Sequence, residues 1–142
     1  MLRSEHRDDA RADTVEATAR EFLHALTNFS ASTIDDDVEQ IRGFAVGDFA
    51  QQVDQTFSAE RIQQIEQAKV VSTGTVRSVF VESLNGDTAS AFGVVDESVA
   101  NNVSAQRRTD VLRVEVRLIE TTSGWKVEQV NILQTPAQTP AA

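Results

Sequence analysis

The chain has no cysteine and no tyrosine, and among its 142 residues it has only one tryptophan, two histidines and two prolines. Without cysteine there is no disulfide, thiolate nucleophile, sulfur-ligated zinc or iron–sulfur cluster. Without tyrosine there is no phenolic donor of the kind that completes the oxyanion hole of ketosteroid isomerase. No run of sequence approaches the roughly 18 apolar residues that a membrane-spanning helix needs, and residues 1–13 are charged throughout, so the chain reads as soluble and without a signal peptide. Positive charge is scarce too: 13 Lys and Arg stand against 22 Asp and Glu, a net −9. Clustered cations are what displace counterions from phosphate, so nucleic acid and anionic membrane surfaces are disfavoured partners.

The acidity is uneven. Residues 1–68 hold 14 acidic and 6 basic side chains, whereas residues 69–142 hold 8 and 7. This is expected to be the solvated surface of a helical first half, in preference to an acidic docking face. In that half, Ala12, Val15, Ala19, Phe22, Leu23, Leu26 and Phe29 recur at three- and four-residue steps, predicting one long amphipathic helix from Asp8 to Phe29. A second helix is expected from Thr33 to Gly43, with Ile34, Val38 and Ile41 inward. A third is expected from Gly47, with Asp48 as its cap and Phe49, Val53 and Phe57 inward. Ser58 is placed to cap a short fourth helix carrying Ile62 and Ile65 and ending near Ala68.

After Lys69 β-branched residues replace the helical period. Val70 to Val81 predicts a long strand with a bulge or bend at Gly74, and Asn85-Gly86-Asp87 predicts a hairpin into a second strand from Thr88 to Val99. From Arg108 to Glu120 the alternation is regular, with Leu112, Val114, Val116 and Leu118 opposite Arg113, Glu115 and Arg117. In the last strand Trp125 and Val127 share one parity and Val130 and Ile132 the other, which a bulge near Glu128-Gln129 would reconcile. Residues 134–142 carry two prolines and no apolar period, and are expected to be a disordered tail.

Helices grouped before a hairpin-linked meander specify an α+β fold: a long first helix and two or three shorter ones packed on a curved four-stranded antiparallel sheet, one domain over residues 1–133. The pattern fits the cone architecture of cystatins, ketosteroid isomerase and nuclear transport factors, and an ordinary two-layer α+β sandwich would leave the same trace. Fold alone implies no function.

No constellation nominates a site. His24 lies half a turn from the apolar stripe and is expected to face solvent, and His6 belongs to the charged leader. Asp35-Asp36-Asp37 lacks the alternating ligand spacing and the glycine of a calcium loop, and fits the first turn of a helix, where carboxylates oppose the dipole. The glycines form no phosphate cradle and no serine sits in a nucleophile elbow. Asp96 and Glu97, near the end of the second strand, could line a cavity, but carboxylates there are usually solvated. The expectation is therefore no catalytic residue, no cofactor and no metal: a protein that works by binding.

Gly47-Asp48-Phe49, Lys69-Val70-Val71-Ser72-Thr73-Gly74-Thr75-Val76, and Gly124-Trp125-Lys126-Val127 with Val130 resemble the extracytoplasmic domain of actinobacterial Mce-associated membrane proteins. The likeness runs from about Ala17 to Leu133, and its motifs are structural. It implies a non-enzymatic accessory that stabilises or assembles a Mce-type lipid or sterol importer through protein contacts, with Mce components as partners and room for an apolar ligand in the cone. It also implies a location on the outer face of the cytoplasmic membrane. Members of that family carry a membrane helix before this domain; this chain lacks it, and residues 1–11 look like a juxtamembrane leader. Two alternatives stand beside it. One is a membrane-anchored scaffold of a type IV secretion or conjugation system, and the other a small-molecule-binding cone with SnoaL-like or isomerase-like activity.

Overall fold

The computed structural model describes residues 2–102 and 108–134. Beyond Gln134, the expected disordered tail lies outside the described residues. Helix α1 spans Leu2–Thr27, so the charged leader forms its first turns and the helix begins earlier than Asp8. Its stripe of Val15, Ala19, Phe22 and Leu23 has no solvent exposure. It stops two residues short of the expected Phe29. Asn28 turns its amide onto the His24 carbonyl at 2.8 Å and the Gly74 carbonyl at 3.0 Å, while the Gly74 N–H donates to Asn28 Oδ1 at 3.1 Å. Phe29 then leaves the helix to pair with Ser72 as a two-residue strand, β1 (Phe29–Ser30).

That strand corrects the expected count: the sheet has five strands, in the order β1-β2-β3-β4-β5. The others are β2 (Val71–Asn85), β3 (Thr88–Ala100), β4 (Arg108–Thr121) and β5 (Gly124–Gln134), all antiparallel to their neighbours. Two residues are too few to show an alternation, and β1 exists because the end of α1 lies against β2. A 3₁₀ turn (Ala31–Thr33) leads into α2 (Ile34–Phe44), where Ile34, Val38 and Ile41 are buried. The Asp37 carboxylate accepts from the Ser30 N–H at 3.0 Å and the Thr33 hydroxyl at 2.7 Å, a reach back across the helix start that accounts for an acid in that turn.

Helix α3 (Gly47–Thr56) is not capped by Asp48. Val46 holds the cap position with no side-chain bond, its N–H donating instead to Val127 O at 2.9 Å, and Asp48 sits in the first turn. Gly47 makes that geometry possible, because its φ of +58° is costly for any residue with a Cβ. In α4 (Ala59–Ala68) Ser58 does act as the cap, accepting from the Arg61 N–H at 3.3 Å.

Gly74 is not a bulge. It pairs in register with Glu97, and the irregularities in β2 fall at Arg77 and Glu82. A Cβ at Gly74 would lie 1.9 Å from Thr27 Oγ1, so this glycine marks where the end of α1 presses on the sheet. Gly93 is the matching contact further along, where a Cβ would stand 2.3 Å from Leu23 Cδ1. The bulge in β5 is where the parity switch required it, with Gln129 facing Arg117 and Val127 facing Leu118, so that Glu128 is the extra residue. These irregularities bend the sheet around α1. Its inner face carries Val79, Ala91, Val95, Val114, Val116, Leu118, Trp125 and Val127, all buried. Phe22 fills the space above them, edge-on to Phe44 and Phe49 at 5.7 and 5.4 Å.

Candidate functional site

The residues weighed from sequence are dispersed by the fold. His24 is exposed, its Nδ1 3.2 Å from the Asn28 amide nitrogen, beside an open depression of about 470 Å³ shared with Arg20, Glu21 and Gly74. Asp96 and Glu97 fall on opposite faces of β3. Asp96 is on the outer face, paired with Arg77 Nε at 3.0 Å, whereas Glu97 is on the inner face in the row Gly74–Glu97–Asp110. Among the described residues no group of three or more His, Cys, Asp or Glu is arranged to hold a metal ion.

The inner row contains a carboxylate pair that sequence reasoning missed. Asp110 is 5% exposed and bonded to Arg108 Nε at 3.0 Å, facing Glu97 across the β3–β4 ladder. The buried Ser72 hydroxyl lies 2.7 Å from the Thr27 carbonyl and 3.0 Å from Glu97 Oε2. A hydroxyl has one proton to donate, so Ser72 serves the Thr27 carbonyl or the Glu97 carboxylate, one at a time. Burial pushes the Glu97 carboxyl above its ordinary range and the Asp110 charge adds to this, against the opposing pull of Ser72 and Arg108. The signal for Asp110 was its parity with Leu112, Val114 and Val116. The arrangement fastens the end of α1 to the sheet.

A second feature is a groove between α3 and the end of β5. It encloses about 300 Å³ and is lined by Leu26, Phe49, Val53, Phe57, Val130 and Ile132. It continues past Phe49 and Val130 toward Gly47 and Arg117. Ile132 is 48% exposed although its register partner Val114 is fully buried, so the helical layer leaves this end of the inner face uncovered. Within the hollow of the sheet proper, α1 lies against the inner face with Phe22 and Leu23 fully buried.

Among the described residues no helix is long and apolar enough to cross a membrane. Comparison with solved structures shows the fold. An IcmL-like type IV secretion system protein from Legionella pneumophila superposes with a TM-score of 0.71 at 10% identity, over 85% of this chain and 91% of that one. The Agrobacterium tumefaciens VirB8 protein gives 0.69 at 12% identity, over 89% and 94%. By sequence, an uncharacterised Mycobacterium tuberculosis protein, Rv1363c, is 26% identical over 123 residues, which are 87% of this chain and 47% of the relative. The chain thus spans about half the length of that curated relative. Residues 2–134 match the model of the uncharacterised Rv1363c/MT1408-like proteins, and the chain belongs to that family.

Proposed function

We propose that this domain is a non-enzymatic assembly module of the cell envelope, held outside the cytoplasmic membrane, which docks other proteins of a multi-component complex in the manner of a secretion scaffold. The observation that carries this reading is the VirB8- and IcmL-like fold, in which Phe22 and Leu23 of α1 are wholly buried against the sheet. The lipid-importer role implied by the Mce-associated motifs gains nothing from the family description or from the solved neighbours, and the secretion-type scaffold has the better support.

The test has two arms. A fusion of the full reading frame to a reporter active only outside the cytoplasm should be active, and an inactive fusion with a correctly folded domain would overturn the location and the assembly role together. Crosslinking in cells followed by identification of partners should recover secretion- or conjugation-type envelope components. Recovery of Mce substrate-binding proteins and permeases would instead restore the importer reading.

A further inference from the structure

The two edges of the sheet are built differently. Beyond the two residues paired with β1, the free edge of β2 is broken by irregularities at Arg77 and Glu82, and bulges and charges are how exposed edges are kept from pairing. At the other edge the bulge in β5 comes early, at Glu128, and from Gln129 to Leu133 the strand reads Gln-Val-Asn-Ile-Leu, without charge, proline or glycine. Among the described residues no strand pairs with this stretch on the edge away from β4. Among the described residues the only bridge on that side is Ala45 to Val127, where the Val46 N–H reaches the Val127 carbonyl at 2.9 Å. The edge therefore already accepts an extended segment, supplied by the chain itself, immediately before the stretch left open.

We propose that the open edge of β5 from Gln129 to Leu133 is a strand-addition site for an extended, apolar, basic-flanked segment of a partner protein. This rests on the assembly reading above and names the docking site within it. Ile132 lies on the inner face opposite Val114 and is 48% exposed, and Leu133 lies on the outer face opposite Arg113 and is 41% exposed. A helix or a small apolar ligand seated in the α3 groove would cover Ile132 alone. An added strand sends successive side chains to opposite faces, so it covers both, and its inward residues enter the 300 Å³ groove beside Phe57.

Charge selects the partner. Helix α3, which flanks the groove, carries no basic residue; Asp54 is paired with Arg42 of α2 at 3.0 Å, Asp48 stands in the first turn, and residues 1–68 as a whole carry 14 acidic against 6 basic side chains. Basic flanks on the incoming segment are complementary to this layer. A second copy would bring another net −9 and its own acidic α3 toward the first. The residues following Gln134 include Pro136 and Pro140, which lack the N–H that a ladder requires.

The experiment titrates the isotope-labelled full chain with a synthetic probe peptide, Lys-Arg-Val-Thr-Ile-Val-Ser-Val-Arg-Lys, and follows backbone amides by NMR. Saturable shifts at residues 129–133, with a dissociation constant below about 1 mM, are expected. Replacing alternate residues of the peptide by proline, or its basic flanks by glutamate, should weaken binding at least about tenfold. So should Ile132→Asp and, separately, Leu133→Glu, the latter at an outer-face position that leaves the core intact. The site is overturned by absence of shifts along β5 at 1 mM peptide. It is equally overturned by binding that ignores Leu133→Glu and the proline peptide, which would mark a groove ligand, or by concentration-dependent self-association through these residues, which would mark a second copy. The titration reads the edge alone and the reporter fusion reads location, so the failure of one is distinguishable from the failure of the other.

Discussion

Trp125 heads β5 with 6% of its surface exposed, packed on the inner face, while Arg11 from α1 lies over its ring at 5.4 Å. The same guanidinium bonds Glu120 at 3.0 Å and the Gly86 carbonyl, so one helix residue joins the tryptophan to both hairpin ends. Trp125→Ala is expected to cost about 3–5 kcal/mol, read by denaturant titration, because it removes the ring and leaves a cavity under α1. At Gly74 a methyl group would collide with the Thr27 side chain, itself held by a 2.7 Å bond to the Leu23 carbonyl, whereas at Gly93 it would meet the flexible end of Leu23. Gly74→Ala should therefore cost about 1–3 kcal/mol, and clearly more than Gly93→Ala. Glu97 sets a pH dependence. With its folded-state pKa raised above the ordinary 4.5 by burial, the folded chain holds a proton that the unfolded chain releases, and the stability this contributes is lost as pH rises from about 4.5 through the raised value. Glu97→Gln should flatten that limb and give a higher Tm than the native chain at about pH 7, the difference closing near about pH 4. Asp110 was missed, although its parity with Leu112, Val114 and Val116 was a signal in the sequence that could have found it. The clasp of Asn28 on Gly74 had no such signal, since nothing local tells a helix-ending asparagine which distant carbonyl it will meet.

At the scale of elements, the four helices and the β2–β5 meander follow from periodicity, and the errors fall at junctions. Asp48 was expected to cap α3 because its side chain suits the role. The cap position went to Val46, because the ladder of β5 extends a carbonyl from Val127 toward it. β1 escaped notice because two residues carry no pattern. The β5 bulge was legible, because two apolar pairs of opposite parity cannot both face one core without an inserted residue. Deleting Glu128 should accordingly be tolerated, because Gln129 then follows Val127 directly, the pairs Leu118–Val127 and Arg117–Gln129 become consecutive, and Val130 and Ile132 still face inward. Cooperative unfolding in a denaturant titration is expected to be kept, and Glu128→Ala should stay within about 1 kcal/mol of the native chain.

At the scale of the molecule, burial is concentrated in α1 and the middle strands, where Val95, Val114 and Leu118 are fully enclosed, while α4 buries no residue completely. Hydrogen exchange should show β3 and β4 opening last and α4 opening first, well below the global unfolding energy. The sequence by itself determined the class of fold, the long helix, the strand parities and the absence of cysteine and tyrosine chemistry, since these depend on composition and on repeats within a few neighbouring residues. Only the tertiary structure decided that Gly74 is a seat for α1 and not a bulge, that Asp96 and Glu97 are parted by the sheet, that Phe22 and Leu23 are buried in the hollow, and that β5 keeps one open edge. Each of these depends on which distant segments come to lie side by side, and that is set by how the helix and the bent sheet close around one another.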